Sequence, residues 1–194
     1  MKQTKIIVYD EADRLFEMGF ASQIREINDA MPQEKQVIMM SATMPKDLQD
    51  FVSTGIREYT FLQLDKEMTV SDKLLLHFFV ARSNEKCAAL IHLLSKLIKA
   101  EDLSIIFVST KYHVQYLVEL LNLFKFGVVG IYGDMDPIAR REAFSKFIRR
   151  ECKILVVTDL AARGLDIPFL DNVIHFDFPS TPKIFVHRAG RTAR

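Results

Sequence analysis

The chain has 194 residues, 49% of them hydrophobic, which is enough for one large domain or two small ones. Lysine and arginine total 26 and aspartate and glutamate 25, so the net charge of +1 gives no sign of a nucleic-acid partner, and any basic surface is local. No apolar run reaches the length of a transmembrane helix, and the start of the chain lacks the apolar segment of a signal peptide. The two cysteines match no metal-binding spacing, and we expect both to stay reduced in an intracellular compartment.

Apolar runs rich in β-branched residues alternate with helical patterns along the chain. The predicted strands are Ile6–Tyr9, Val37–Met40, Leu74–Val80, Ile105–Val108, Val128–Tyr132, Ile154–Val157 and Val173–Phe176. Apolar residues recur at helical spacing between them, most clearly over residues 87–98, 114–121 and 143–148. Strand–helix alternation of this kind predicts βαβ units and mainly parallel sheets, which is an α/β fold.

A polar segment without a sustained period, residues 64–72, is a candidate linker between two domains. Residues 1–63 offer about three strands and two helices, which is less than a doubly wound domain normally contains. The sequence therefore predicts the back half of a first domain, followed by a fuller second domain over residues 73–194.

Two adjacent carboxylates, Asp10 and Glu11, follow the first apolar run. A parallel strand delivers such groups to the carboxyl edge of a sheet, where ligands bind in open α/β folds. One carboxylate there can hold Mg²⁺ on a nucleotide, and its neighbour can orient a water molecule for attack on phosphorus. The alternative is a strand end with solvated acids, in which Asp13 is the N-cap of a helix that begins near Arg14. The position at a predicted strand end favours phosphate chemistry.

Two hydroxyl groups, those of Ser41 and Thr43, follow the next predicted strand. They could hydrogen-bond the acids and respond to a nucleotide. Taken alone, however, the pattern is more typical of a helix N-cap ahead of Pro45.

The segment after the strand Ile154–Val157 begins with Thr158 and carries Arg163, Gly164 and Asp166. Glycine permits a tight turn or the close approach of a ligand, and charges set among apolar residues need partners. A ligand-binding loop and a buried pair between Arg163 and Asp166 are equally consistent with this pattern.

The last eight residues, His187 to Arg194, contain three arginines at a spacing of three, Arg188, Arg191 and Arg194. That spacing places them on one side of a helical turn, where guanidinium groups could grip phosphate. A basic helix end that complements the macrodipole is the alternative. Further upstream, Arg140 lies close after Gly133 and is the best single candidate for contact with a nucleic-acid backbone.

The identity, order and spacing of these motifs together resemble the DEAD-box family of ATP-dependent RNA helicases. The similar segments cover essentially the whole chain and are Asp10-Glu11-Ala12-Asp13, Ser41-Ala42-Thr43, Ile105 to Thr110, Thr158 to Asp166 and His187 to Arg194. The sequences of residues 10–20, 136–140 and 165–174 resemble those of the nucleolar helicases of large-ribosomal-subunit assembly. Pro137 departs from the family, because most relatives carry glutamine there.

The resemblance implies two RecA-like domains, with ATP and RNA bound across the cleft, and it assigns roles residue by residue. Catalysis would involve Asp10 as the Mg²⁺ ligand, Glu11 for the attacking water, and Arg191 and Arg194 as arginine fingers. Coupling between nucleotide state and domain closure would involve Asp13, Ser41, Thr43, His187 and Arg188. Gly164 and Asp166 would bind ATP, the latter at the ribose. The RNA backbone would be held by Thr110, Gly133, Arg140, Thr158 and Arg163.

The family's phosphate-binding motif, G-x-x-x-x-G-K-[ST], does not occur in this sequence, and the final strand expected of the second domain is missing as well. We therefore expect a parent RNA helicase and ATPase that acts in the nucleolus or nucleus, with pre-ribosomal particles as possible partners. We expect the 194-residue chain alone not to hydrolyse ATP. Unpaired sheet edges in residues 1–63 predict poor order or self-association. The alternative is a non-catalytic module that binds RNA or protein.

Overall fold

The computed structural model describes residues 3–41, 44–56, 58–62, 74–162, 165, 167 and 170–192. The chain divides into unit 1, Met1–Leu64, and unit 2, Asp65–Arg194, each with its own core. The predicted linker over residues 64–72 lies outside the described residues. No helix in the described part of the chain has both the length and the apolar character needed to cross a membrane.

Unit 1 is a two-stranded parallel sheet covered on one face by helices. Its elements are β1 (Ile6–Tyr9), α1 (Ala12–Glu17), α2 (Ala21–Asp29), β2 (Gln36–Met39) and α3 (Lys46–Gly55). The strands pair in register from Ile6 opposite Gln36 to Tyr9 opposite Met39. The core consists of Tyr9, Ala12, Phe16, Ile24, Leu48, Phe51 and Val52.

The prediction of three strands and two helices for residues 1–63 is wrong, because the described part of unit 1 has two strands and three helices. The third helix, α3, follows from the helical spacing of Leu48, Phe51 and Val52, which all point into the core.

The second face of the unit 1 sheet is open. Side chains alternate along a strand, so Tyr9 is buried while its neighbours on the other face are not. The exposed fraction is 56% for Ile6 and 51% for Val8, and Ile38 on β2 and Met40 directly after it are exposed as well. Parallel sheets are usually covered on both faces, so this apolar face is unusual for an isolated unit.

Over its described residues, unit 2 is a four-stranded, fully parallel sheet with helices on both faces. Its elements are α4 (Lys86–Lys96), β3 (Ser104–Val108), α5 (Lys111–Leu123), β4 (Val128–Ile131), α6 (Pro137–Ile148), β5 (Ile154–Thr158), α7 (Asp159–Ala162), β6 (Asn172–His175) and α8 (Pro182–Ala189). The strand order is β4-β5-β3-β6. The predicted α/β fold with parallel sheets is confirmed.

The central strands β3 and β5 are buried along their whole length, as expected for a sheet covered on both sides. One face packs against α6 through Phe147, and the other packs against α4 and α5. Gly130 in β4 allows α5 to approach closely. A Cβ built there would lie 2.6 Å from Val114 Cγ1 and 2.8 Å from Val118 Cγ2.

The predicted strand Leu74–Val80 is wrong, since these residues form no strand. Most of their side chains are exposed, and the exposed fraction is 83% for Leu75 and 72% for Phe78. An apolar run becomes a strand only where a neighbouring strand pairs with its backbone. The unit 2 sheet, as far as the structure describes it, does not include this segment.

Candidate functional site

The turn between β1 and α1 presents two carboxylates at the carboxyl edge of the unit 1 sheet. Glu11 is the N-cap of α1 and has left-handed backbone angles, φ 48° and ψ 44°. That conformation costs a residue other than glycine ~1–2 kcal/mol. Asp10 is exposed and Glu11 half-buried, and Asp10 Oδ1 accepts a hydrogen bond of 2.9 Å from the Glu11 backbone N–H. Both carboxylates are therefore accessible to a ligand at this edge.

Asp13 lies inside unit 1, with 1% of its surface exposed. Its backbone N–H donates to Ser41 Oγ at 3.1 Å, so the segment Asp10-Glu11-Ala12-Asp13 is in direct contact with the one that begins at Ser41. The next hydrogen bond in the same place, from Ala12 N to Met40 O at 3.0 Å, also ties the start of α1 to the end of β2.

The alternative capping roles of Asp13 and Ser41 are wrong. Helix α1 begins at Ala12 with Glu11 as its N-cap, so Asp13 is inside the first turn. Helix α3 has Pro45 as its N-cap and no side-chain cap, so Ser41 does not cap it. Thr43 lies outside the described residues.

Three of the predicted RNA-binding residues meet at the carboxyl edge of the unit 2 sheet. Thr110 follows β3, Gly133 follows β4, and Thr158 ends β5, which lies between those two strands. Thr110 is the N-cap of α5, and its Oγ1 accepts from His113 N at 3.2 Å. The order of the strands therefore brings together residues that are distant in sequence.

Arg140 is held at this edge by α7. Its Nη2 donates to the carbonyl oxygen of Ala161 at 3.0 Å, which connects the start of α6 to the segment after β5. Arg163, Gly164 and Asp166, which the sequence places in the following loop, lie outside the described residues. Their predicted pairing is therefore not described.

Arg188 is buried, with 4% of its side chain exposed. Its guanidinium binds Asp159 through two hydrogen bonds, Nε to Oδ1 at 2.7 Å and Nη2 to Oδ2 at 2.8 Å. Nη1 donates to the carbonyl oxygen of Asp177 at 2.8 Å, and the guanidinium carbon lies 4.8 Å from the centre of the Phe107 ring. Because its charge is matched by Asp159 inside unit 2, the hypothesis that the guanidinium of Arg188 grips phosphate is wrong. Arg188 does lie in the last turn of α8, as the alternative of a basic helix end requires.

The other residues of the last motif are more accessible. His187 is exposed on α8, which ends at Ala189. Arg191 follows the helix end and is half-buried, and its backbone N–H donates to Arg188 O at 3.2 Å. Arg194 lies outside the described residues. The position of Arg191 is thus set by the buried Arg188.

Asp177 is a half-buried acid at the carboxyl edge of the unit 2 sheet, with 13% of its side chain exposed. Its carboxylate accepts from Lys86 Nζ, from Ser109 N and from the Nδ1–H of His113, each at 2.8 Å. Burial alone would raise the pKa of Asp177, but these hydrogen bonds outweigh it and lower the pKa to about 2. The carboxylate is therefore ionised at neutral pH.

His175 in β6 lies between aromatic rings and Arg188. Its ring stacks on Phe185, with centroids 5.1 Å apart and planes 17° apart, and its Nδ1 lies 3.3 Å from Arg188 Nη1. Burial, followed by the charge of Arg188, lowers the pKa of His175 to about 4, although Asp159 opposes the shift. A neutral ring can accept from Arg188 at Nδ1, which leaves the proton on Nε2.

Sequence reasoning missed Asp159, Asp177 and His175. The signal that could have found the two acids is the one that singled out Asp10, since Asp159 directly follows β5 and Asp177 closely follows β6. A polar residue within a strand pattern, such as His175, gives no comparable signal without knowledge of its neighbours.

No group of three or more metal-binding side chains occurs in the part of the chain that the structure describes. One exposed carboxylate, that of Asp10, nevertheless fits a Mg²⁺ ion whose other ligands are water and nucleotide phosphates, because Mg²⁺ commonly takes only one or two carboxylates from a protein.

Two family models match the chain. The model for the helicase conserved C-terminal domain matches residues 85–194, and the DEAD/DEAH box helicase model matches residues 1–51. The mouse protein named ATP-dependent RNA helicase DDX54 is 43% identical over 194 residues, which are 100% of this chain and 22% of that protein. The protein of Coccidioides immitis named ATP-dependent RNA helicase DBP10 is 42% identical, across 100% of this chain and 25% of that protein. The chain thus spans about a quarter of the length of these curated relatives.

Solved structures of DEAD-box proteins are also similar to this chain. The L327V variant of Saccharomyces cerevisiae Dbp5, bound to RNA and ADP BeF3, is 27% identical with a TM-score of 0.84, and the match covers 100% of this chain and 51% of that one. A DEAD box protein from Methanococcus jannaschii is 28% identical with a TM-score of 0.58, across 98% of this chain and 50% of that one. With both family models and curated relatives in agreement, this chain belongs to the DEAD-box family of ATP-dependent RNA helicases.

Proposed function

We propose that the parent protein of this chain couples ATP hydrolysis to the unwinding of RNA duplexes or the remodelling of RNA–protein particles. The observation that carries this proposal is the meeting of Thr110, Gly133 and Thr158 at neighbouring strand ends in unit 2. Small and hydroxyl-bearing residues at such an edge can approach a phosphate–sugar backbone closely and donate hydrogen bonds to it.

RNA recognition at this edge would be independent of sequence. Backbone contacts from Thr110, Gly133, Thr158 and Arg163 carry no base identity. The guanidinium of Arg140 has five N–H donors, of which one binds Ala161, so the remaining donors can serve a phosphate. A local basic contact of this kind is consistent with a net charge of only +1.

The ATP-related roles are divided between the two units. In unit 1, Asp10 would hold Mg²⁺ and Glu11 would orient water, while the contact between Asp13 and Ser41 would report on the nucleotide, with Thr43 alongside. In unit 2, Gly164 and Asp166 would bind the nucleotide, and Arg191 and Arg194 would stabilise charge on the γ-phosphate. His187 and Arg188 would couple these residues to RNA. ATP and Mg²⁺, when bound, supply the reactive phosphate and the charge that neutralises it.

We infer that residues 1–63 form the C-terminal half of a RecA-like first domain, that residues 64–72 link the two domains, and that residues 73–194 form most of the second. The relatives named DDX54 and DBP10 support a role of the parent in ribosome biogenesis, with pre-ribosomal particles as partners and the nucleolus or nucleus as its location.

The 194-residue chain alone is proposed not to turn over ATP, since its sequence contains no G-x-x-x-x-G-K-[ST] motif to cradle the phosphates. Phosphate release from ATP in the presence of RNA, measured with malachite green, tests this. We expect the same rate for the chain and for its Glu11→Gln variant. A rate for the chain well above that of the variant would refute the proposal.

A second candidate is a non-catalytic module that binds RNA or protein through unit 2. The missing phosphate-binding motif favours it for this polypeptide. Fluorescence anisotropy with a labelled single-stranded oligouridylate tests RNA binding directly. Binding without ATP turnover would support the module, and Thr110→Ala should weaken it because this exposed threonine follows β3 at the edge.

A further inference from the structure

Asp177 makes hydrogen bonds to the end of β3 with both its backbone and its side chain. Its N–H donates to Phe107 O at 3.1 Å, and its carboxylate accepts from Ser109 N at 2.8 Å. These two hydrogen bonds are made to the residues on either side of Val108, the last residue of β3. Ser109 directly precedes Thr110. The position of Thr110 at the unit 2 edge therefore depends on Asp177.

The carbonyl group of Asp177 connects the same residue to α8. Its oxygen accepts from Arg188 Nη1 at 2.8 Å, while Arg188 Nε and Nη2 donate to Asp159. The backbone N–H of Arg191 in turn donates to Arg188 O. The chain of contacts thus runs from the Ser109 turn through Asp177 and Arg188 to the backbone of Arg191.

The Asp177 carboxylate accepts three hydrogen bonds from protein groups, unlike a typical carboxylate at the surface. Lys86 from α4 and His113 from α5 approach it at 2.8 Å each, so groups from two helices and one strand end share one acid. A buried carboxylate is tolerated only when its lone pairs are used, and removal of a partner leaves a costly unpaired group. Such a cluster has few alternative arrangements.

We propose that Asp177 is a positioning residue that fixes the Ser109–Thr110 turn and the Arg188 guanidinium relative to each other. Asp177 acts through these two groups. The contacts of Asp177 lie within this chain, and their importance for RNA and ATP rests on the function proposed above. Loss of the carboxylate would free the turn and Arg188 to move independently.

The test reads the Arg188 Nε–H resonance in ¹⁵N-labelled protein, using the full 194-residue chain. This proton is hydrogen-bonded to Asp159 and shielded from solvent. The perturbation is His113→Ala, which removes a donor from the far side of the Asp177 carboxylate. We expect it to shift the Arg188 resonance, whereas the matched control His92→Ala, an exposed histidine on α4, should leave the resonance in place.

The same comparison in an Asp177→Asn background completes the test. There, His113→Ala should move the Arg188 resonance by less than half as much as in the native chain. An Arg188 resonance that does not respond to His113→Ala, or that responds equally in both backgrounds, overturns the proposal. Should Asp177→Asn not fold, Lys86→Gln, which removes a different donor from the carboxylate, takes its place with the same two outcomes.

Addition of oligouridylate separates this proposal from the proposed function. RNA bound at the unit 2 edge should shift the Thr110 amide and, through Asp177, the Arg188 resonance. The shift at Arg188 should be lost in Asp177→Asn while the shift at Thr110 persists. Absence of any shift at Thr110 in the native chain counts against RNA binding, yet the protein-only comparison still decides the role of Asp177.

Discussion

Asp159→Asn should destabilise unit 2 strongly, because it leaves the Arg188 guanidinium charged and without its carboxylate. Arg188 is 4% exposed, and Asp159 supplies two of its hydrogen bonds, at 2.7 and 2.8 Å. Removal of one partner from a buried ion pair typically costs ~3–5 kcal/mol. Asparagine keeps one acceptor and Asp159 is 31% exposed, so water offsets part of the loss, and we expect about 2–3 kcal/mol here.

Native-state hydrogen exchange across a urea series is the suitable assay. Amides of the buried strands β3 and β5 report the free energy of opening of unit 2 without interference from unit 1. The matched control is Glu151→Gln, which breaks an exposed pair with Arg149 whose atoms are 3.8 Å apart, and it should cause no resolvable change. Equal protection in Asp159→Asn and in this control would refute the reasoning.

Three further outcomes are expected. Gly130→Ala should destabilise unit 2 by ~1–3 kcal/mol, because the added methyl group would overlap side chains of α5. The control Gly127→Ala should be tolerated, because its Cβ would meet nothing nearer than 3.6 Å. Equal urea midpoints for the two variants would contradict this expectation. The pKa of His175 is about 4 in the folded chain, whereas an unfolded histidine has the ordinary pKa of 6.5. The contribution of neutral His175 to the free energy of unfolding should therefore be fully present above pH 6.5 and be lost as the pH drops towards 4. The loss should be ~1–2 kcal/mol after allowance for partial exposure, and His175→Phe should flatten the profile of urea midpoint against pH. The open apolar face of unit 1 should cause self-association, which Val8→Lys or Ile38→Lys abolishes in light scattering; a monomeric native chain would contradict this.

The strands of the two sheets and the placement of the strand-end motifs could be predicted from the sequence. The apolar runs Ile105–Val108 and Ile154–Val157 lie within β3 and β5, because a strand buried on both faces needs a continuous apolar stretch. Since carboxyl ends of parallel strands share an edge, residues that follow such runs, among them Asp10 and Thr110, were expected to be accessible to ligands.

Features that depend on the neighbours of an element could not be predicted. The segment Leu74–Val80 has the apolar pattern of a strand, but pairing is a property of two segments. Whether Arg188 faces a phosphate or a carboxylate depends on the strand order β5-β3-β6, which places Asp159 beside it although the two are 29 residues apart in sequence. Sequence spacing among the three arginines contains no information about that order.

The left-handed backbone at Glu11 limits which residues can replace it. Glycine, asparagine and aspartate adopt this conformation most readily. Glycine and asparagine carry no carboxylate, and the side chain of aspartate is one methylene shorter than that of glutamate. Each residue that adopts this conformation more readily would therefore remove the carboxylate or place it closer to the backbone. The chain has glutamate where the backbone would favour a different residue, and this supports the proposed role of the Glu11 carboxylate.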